Sequence, residues 1–225
     1  MIPLRDVIPS RTTPYITVTI IVINALAWLY ELTLPHEQLN DFLTVYGVVP
    51  AYLSWPTVIT SMFLHGSWSH VIGNMWYLWI FGDNVEDRVG HGRFIIFYLL
   101  CGTAAALGQV AMDPNSMLPT IGASGAIAGV MGAYFVLYPQ SRVLTLIPFI
   151  WLQIVELPAV VLLGFWFLMQ IFSAGTIAMT ATTHGSGGVA FAAHVAGFVM
   201  GLIGIFVFKK PERDRWASAD YDRWA

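Results

Sequence analysis

Two polar side chains in apolar surroundings are the residues of this chain best suited to chemistry. Ser124 stands in Gly122-Ala123-Ser124-Gly125, within a stretch that has no charged residue from Pro114 to Ser141. His194 stands in Ala193-His194-Val195-Ala196-Gly197, within another that has none from Leu157 to Phe208. A hydroxyl or imidazole in hydrocarbon needs a partner, because an unsatisfied polar group there costs on the order of several kcal/mol. Polar and ionisable groups at such depth are functional candidates by default. A serine and a histidine of this kind suggest a nucleophile and its general base. His70 and Asn74, one helical turn apart in His70-Val71-Ile72-Gly73-Asn74, share a helix face. Both can donate hydrogen bonds, as an oxyanion hole requires alongside a backbone amide.

The elements that must position these residues cross a membrane. Of the 225 residues 57% are hydrophobic and 10% charged, and mean hydropathy is +0.69. Soluble domains run near 25% charged, so a polytopic membrane protein is expected, with no separate soluble domain. The net charge of −3, with few and scattered basic residues, gives no footing for nucleic acid. Cys101 is the single cysteine, so no intrachain disulfide forms. The first apolar run, Ile16 to Tyr30, has no small-residue cleavage site after it and reads as a retained helix rather than a signal peptide.

Six spans fit the charge-free runs, taking about 20 residues per crossing and about 17 as the lower end. They are Pro14–Leu32, His70–Val85, Phe94–Met112, Ser124–Tyr138, Pro158–Ala174 and Val189–Phe208. The Gly/Ser/Thr-rich stretch Gly175–Gly188 separates the last two. All ten Lys and Arg fall before the first span, between the second and third, between the fourth and fifth, or after the sixth. By the positive-inside rule both termini are cytoplasmic. Residues 1–208 then form the membrane domain, and 209–225 a short charged tail whose Lys209 and Lys210 meet anionic headgroups. The long first outer loop, Thr33–Ser69, carries Phe42, Tyr46, Tyr52, Leu53 and Trp55. It is expected to lie along the interface.

Ser124 and His194 are each about 15 residues before the cytoplasmic end of their span, roughly 22 Å deep at 1.5 Å per residue. They share a level, and the loop before Ser124 must dip into the protein around a wet cavity open to the outer face. Lateral approach is encoded as well. Gly125, Gly129 and Ala133, with Gly132 beside them, and Ala193, Gly197 and Gly201 form small-residue stripes that let membrane helices come close.

These residues resemble those of the rhomboid intramembrane serine proteases from Trp55 to Gly201. The matching parts are His65-Gly66-Ser67 leading to His70 and Asn74, Gly82-Asp83-Asn84-Val85-Glu86-Asp87 with Gly90, Gly122-Ala123-Ser124-Gly125, and Ala193-His194-Val195-Ala196-Gly197-Phe198 with Gly201. The resemblance implies an all-α, six-helix bundle that hydrolyses peptide bonds of other transmembrane proteins, with no cofactor and no metal. It casts Ser124 as nucleophile, His194 as base, and the Ser124 amide, His70 and Asn74 as oxyanion donors. A dyad is expected, since no Asp or Glu lies near His194 in sequence. Two positions depart from the family pattern. Pro56 follows Trp55 where the family often has arginine, and Ala128 stands where many members stack an aromatic ring on the histidine.

Other membrane protease chemistries lack their residues. His36-Glu37 is not followed by the second histidine of a zinc site. Asp83 at a helix end and Asp222 in the tail do not make an intramembrane aspartate pair, and Ala126 breaks the Gly-x-Ser-x-Gly elbow. A channel or transporter would show repeated halves, and Met1–Asp113 and Pro114–Ala225 show no repeat. The alternative that remains is a catalytically inactive relative that binds or chaperones transmembrane helices. Asp83, Glu86 and Asp87, near Arg88 and Arg93, read as a solvated cluster capping the inner loop, and His184 as a surface residue of the last outer loop.

Overall fold

The computed structural model describes residues 1–148, 152–180 and 190–210. His184 and residues 211–225 of the tail lie outside the described residues. Strand β1 (Ile2–Asp6) leads to helix α1 (Tyr15–Glu31), then α2 (His36–Tyr46), α3 (Trp55–Thr60), α4 (Trp68–Val89), α5 (His91–Met112) and α6 (Ser124–Leu137). A hairpin of β2 (Arg142–Pro148) and β3 (Leu152–Pro158) precedes α7 (Ala159–Thr180) and α8 (Phe191–Phe208). The chain is mostly helical. By length and composition α5, α7 over Ala159–Thr176, and α8 suffice to cross a membrane, while α1 and α6 are apolar but shorter. Helix α4 has 22 residues, with Asp83, Glu86, Asp87 and Arg88 toward its end. The segment between α1 and α4 holds α2, α3 and two short 3₁₀ turns. Tyr52 and Trp55 stand exposed on it.

The expected all-α character holds for most of the chain, with one departure, the three-stranded antiparallel sheet β1-β2-β3. In β2 the alternate residues Val143 and Thr145 are fully buried while Leu144 and Leu146 are not. That is the two-residue period of a strand. In a chain this apolar, the period is masked because both faces carry hydrophobic residues.

Helices α6 and α8 form the tightest contact of the bundle. A Cβ added to Gly197 would sit 2.0 Å from Gly125 O, and one on Gly201 would sit 1.8 Å from Gly129 O. On the other helix, a Cβ on Gly132 would sit 2.2 Å from Phe198 O. Backbone meets backbone here, and no side chain fits between. Helix α5 closes against both, with Ala105 Cβ 2.4 Å and Cys101 Cβ 2.4 Å from the Cβ positions of Gly125 and Gly129.

At the opposite end from Ser124 the segments bearing basic residues converge. Val7 N–H donates to Arg142 O, and Lys210 N–H to Arg88 O. Asp6 Oδ2 accepts from Tyr134 OH at 2.7 Å and from Asn84 Nδ2 at 2.9 Å. Burial pushes the Asp6 carboxyl up to about 7, with the Tyr134 hydrogen bond opposing and the Asp83 carboxylate adding to the rise.

The acidic cluster on α4 is not a solvated cap of its own loop. Glu86 is fully buried. It accepts from Ile16 N–H, Thr17 N–H and Thr17 Oγ at 3.0, 2.8 and 2.7 Å, and it pairs with His91 Nδ1 at 2.5 Å. Asp87 accepts from the Arg11 and Thr12 amides. Pro14 offers α1 no side-chain cap. The orphan amides of its first turn are therefore satisfied by carboxylates from α4, which also suit the positive end of the helix dipole.

Candidate active site

Each candidate residue stands at or near a helix start, and local structure explains why. Ser67 caps α4 by accepting from His70 N–H at 3.2 Å. This fixes the first turn, from which His70 and, one turn later, Asn74 project. Gly122 has φ +123°, a conformation that favours glycine. Its N–H donates to Ser61 O at 2.9 Å. That turn delivers Ser124 as the first residue of α6, with Ala123 O accepting the first intrahelical bond from Ile127. The Ser124 amide therefore has no carbonyl partner within its helix and lies at the positive end of the dipole.

Ser124 Oγ lies 2.9 Å from His194 Nε2. Ser124 is half-buried and His194 is 8% exposed. The other ring nitrogen, Nδ1, lies 2.8 Å from Gln170 Oε1 on α7. The indole of Trp166, one turn earlier on α7, lies tilted over the imidazole with centroids 5.8 Å apart. Ala128 is fully buried, so the ring that faces His194 comes from α7 and not from α6.

His70 and Asn74 reach the same turn from α4. A Cβ on Gly122 would be 2.7 Å from His70 Nε2 and 3.7 Å from Asn74 Nδ2. Asn74 Nδ2 donates one hydrogen to His65 Nε2 at 2.9 Å, which leaves its second hydrogen for the turn. His65 is in turn held through its own amide by the Glu31 carboxylate, at 3.3 and 3.2 Å. Serine hydroxyl, imidazole, a helix-terminal amide and two side-chain donors thus meet in one place. Such a set can deprotonate a hydroxyl and hold negative charge on an oxygen bonded to it. Among the described residues no group of three or more His, Cys, Asp or Glu is placed to hold a metal ion.

Glu31, His65, Trp166 and Gln170 were not singled out for roles by sequence reasoning. Gln170 had a signal: it is a buried amide in the charge-free run from Leu157 to Phe208. The rule that picks out polar groups in apolar spans applies to it as to His194. His65 stood in the motif before His70, with nothing in its spacing to tie it to Asn74.

A helical membrane bundle that brings a serine and a histidine into hydrogen-bond contact is the class that fold and site define. The Rhomboid domain model matches residues 52–211, and the chain belongs to the rhomboid family. It is 26% identical over 206 residues to Rhomboid-like protein 11, chloroplastic, of Arabidopsis thaliana, covering 88% of this chain and 69% of that one. It is 29% identical to the putative rhomboid protease YdcA of Bacillus subtilis over 55% of this chain and 62% of that protein. Against Rhomboid protein 1, mitochondrial, of Saccharomyces cerevisiae the identity is also 29%, over 71% of this chain and 44% of the relative. A membrane location follows from the family and the apolar helices.

Proposed function

We propose that this protein is an intramembrane serine endopeptidase that cleaves other membrane proteins in or near their transmembrane segments. The observation that carries the reading is the 2.9 Å contact between Ser124 Oγ and His194 Nε2 at the start of α6. Membership of a family with protease-named relatives supports it. In this mechanism His194 takes the hydroxyl proton as Ser124 attacks the scissile carbonyl. The oxyanion that forms accepts from the Ser124 amide, Asn74 Nδ2 and His70. As the tetrahedral intermediate collapses, His194 passes its proton to the leaving amine, and then activates the water that releases the acyl group.

Six membrane crossings, by α1, α4, α5, α6, α7 and α8, complete the proposal, with both termini on the cytoplasmic side of the cell membrane. The gathering of Arg5, Arg88, Arg142 and Lys210 segments at one end supports that orientation. Ser124 then lies about 20 Å away, thirteen residues of helix from Leu137, toward the outer face. The test is cleavage of a model transmembrane substrate by purified protein in detergent, beside fluorophosphonate labelling. Wild type should cleave and be labelled once, and Ser124→Ala should do neither while keeping its thermal transition. Cleavage by Ser124→Ala would remove the assignment, and a wild type that neither cleaves nor is labelled would favour the inactive, helix-binding reading.

A further inference from the structure

The imidazole of His194 is held on both sides by different helices. Nε2 faces Ser124 on α6, and Nδ1 faces Gln170 Oε1 on α7 at 2.8 Å. Gln170 is 9% exposed. An amide oxygen only accepts, so a hydrogen bond at this distance requires the ring proton to be on Nδ1. The remaining lone pair then lies on Nε2, directed at the serine hydroxyl, as a general base needs. A ring with its proton on Nε2 would set two lone pairs against each other at Gln170, and it would make Ser124 Oγ an acceptor of that proton, with no base facing the hydroxyl.

We propose that Gln170 is the positioning residue of the dyad, an amide that fixes the tautomer and the rotation of His194 where an acidic third member or a stacked ring from α6 would otherwise do so. The proposal rests on the Ser124–His194 reading above. Trp166 contributes the face contact from the same side of α7, its ring tilted 35° to the imidazole. Among the described residues, the groups that face His194 are Ser124 from α6, Gln170 and Trp166 from α7, Phe191 from its own helix, and His70 from α4 at longer range. No carboxylate is among them. The amide is neutral, so it orients the ring while stabilising the imidazolium form that appears during turnover much less than a carboxylate would. That separates it from a buried aspartate, which does both.

The test pairs two substitutions with two readouts. Gln170→Met keeps the length of the side chain and removes its acceptor. It should lower kcat about 10- to 100-fold, the scale of losing orientation by a fraction of an ångström to an ångström, with KM within about twofold and an unchanged thermal transition. Gln170→Glu keeps an acceptor and adds charge, so it should retain activity while moving the acidic limb of the pH–rate profile up by about one unit or more. A role confined to packing would not move that limb. Wild-type kcat in Gln170→Met overturns the proposal. If that variant does not fold, an unmoved limb in Gln170→Glu overturns it instead. The tautomer is read apart from activity by ¹⁵N shifts of labelled histidine in Ser124→Ala. Nδ1 should be protonated there, and Ser124→Ala combined with Gln170→Met should give a mixture. An unchanged tautomer in the double variant sinks the proposal even if the chain cleaves nothing, whereas loss of cleavage in wild type with the tautomer as expected sinks only the protease reading.

Discussion

Gly197→Ala tests how the α6–α8 contact sets the dyad. The added methyl would start 2.0 Å from Gly125 O and 3.0 Å from Gly125 C. A carbon–oxygen contact settles at about 3.3–3.6 Å, so the shortfall is roughly 1.3–1.6 Å. The obstruction is backbone on a packed helix, which cannot rotate away as a side chain can. The helices must separate or tilt by on the order of 1 Å, at an overpacking cost of about 1–3 kcal/mol. Gly125 adjoins Ser124, and Gly197 is one turn beyond His194. The separation therefore falls on the 2.9 Å contact and opens it to roughly 4 Å, beyond hydrogen-bond reach. A misplacement of that size costs about 10² in rate. The assay compares kcat on a transmembrane substrate, the rate of fluorophosphonate labelling and the thermal midpoint. Gly204→Ala on the same helix is the control, since its methyl meets only Phe97 at 3.5 Å and Met200 at 3.7 Å. It should be neutral, or stabilising by up to about 1 kcal/mol from helix propensity. Wild-type labelling and turnover in Gly197→Ala would refute the claim that backbone contact between these helices sets the dyad distance.

Other outcomes follow from the same geometry. Asn74→Ala should lower kcat by about 10²–10³ with little change in KM, because the donor is used mainly in the transition state. Weakened binding at unchanged rate would make Asn74 a structural link to His65 instead. Cleavage should fall on acidification as His194 takes up a proton, and cleavage retained in His194→Ala would exclude it as base. Asp6 has its carboxyl raised from 3.8 to about 7. The native state thus holds a proton that the unfolded chain releases. Its contribution to stability is complete below about pH 4 and lost as pH rises through about 7. Thermal midpoints measured at several pH values should fall less steeply over that window in Asp6→Asn than in wild type, and parallel curves would count against the assignment.

Much of the site could be read from the chain because hydrocarbon makes polar residues conspicuous. Ser124 and His194 stood out by the absence of charge around them, and the spacing of Gly125, Gly129, Gly197 and Gly201 foretold a close approach. The helix ends expected from charge lie within a few residues of α1, α4, α5 and α6, α7 runs on past the expected Ala174 to Thr180, and Val189 lies outside the described residues. What escaped was whatever depended on distant pairing. Glu86 looked like part of an exposed acidic run, and only the fold shows that its partners are amides about seventy residues earlier. Gln170 is uncharged and 24 residues from His194, so neither charge nor spacing marks it as the orienting partner. The sheet was missed because apolar residues stand on both of its faces, with Val143 buried and Leu144 and Leu146 on the other side of β2. His65 reaches Asn74 through a side-chain contact that no periodicity encodes.

The pairing of β1 with β2 joins Ile2 to Leu146 and Asp6 to Val143. The first strand of the chain is thus completed by one made after α6. During synthesis the N-terminal segment must wait through some 140 residues for its partner, well beyond the point at which Glu86 becomes available to cap the first turn of α1. The sheet therefore acts as a late fastener. Pairing β1 with β2 ties the start of α1 to the end of α6, and this happens only once all but the last two helices have been made. Because each doubling of loop length adds only about 0.6 kcal/mol to the entropy of closure, the delay is a matter of order in time and carries little thermodynamic penalty. A ribosome stalled before residue 143 would leave a bundle whose first strand has nothing to pair with.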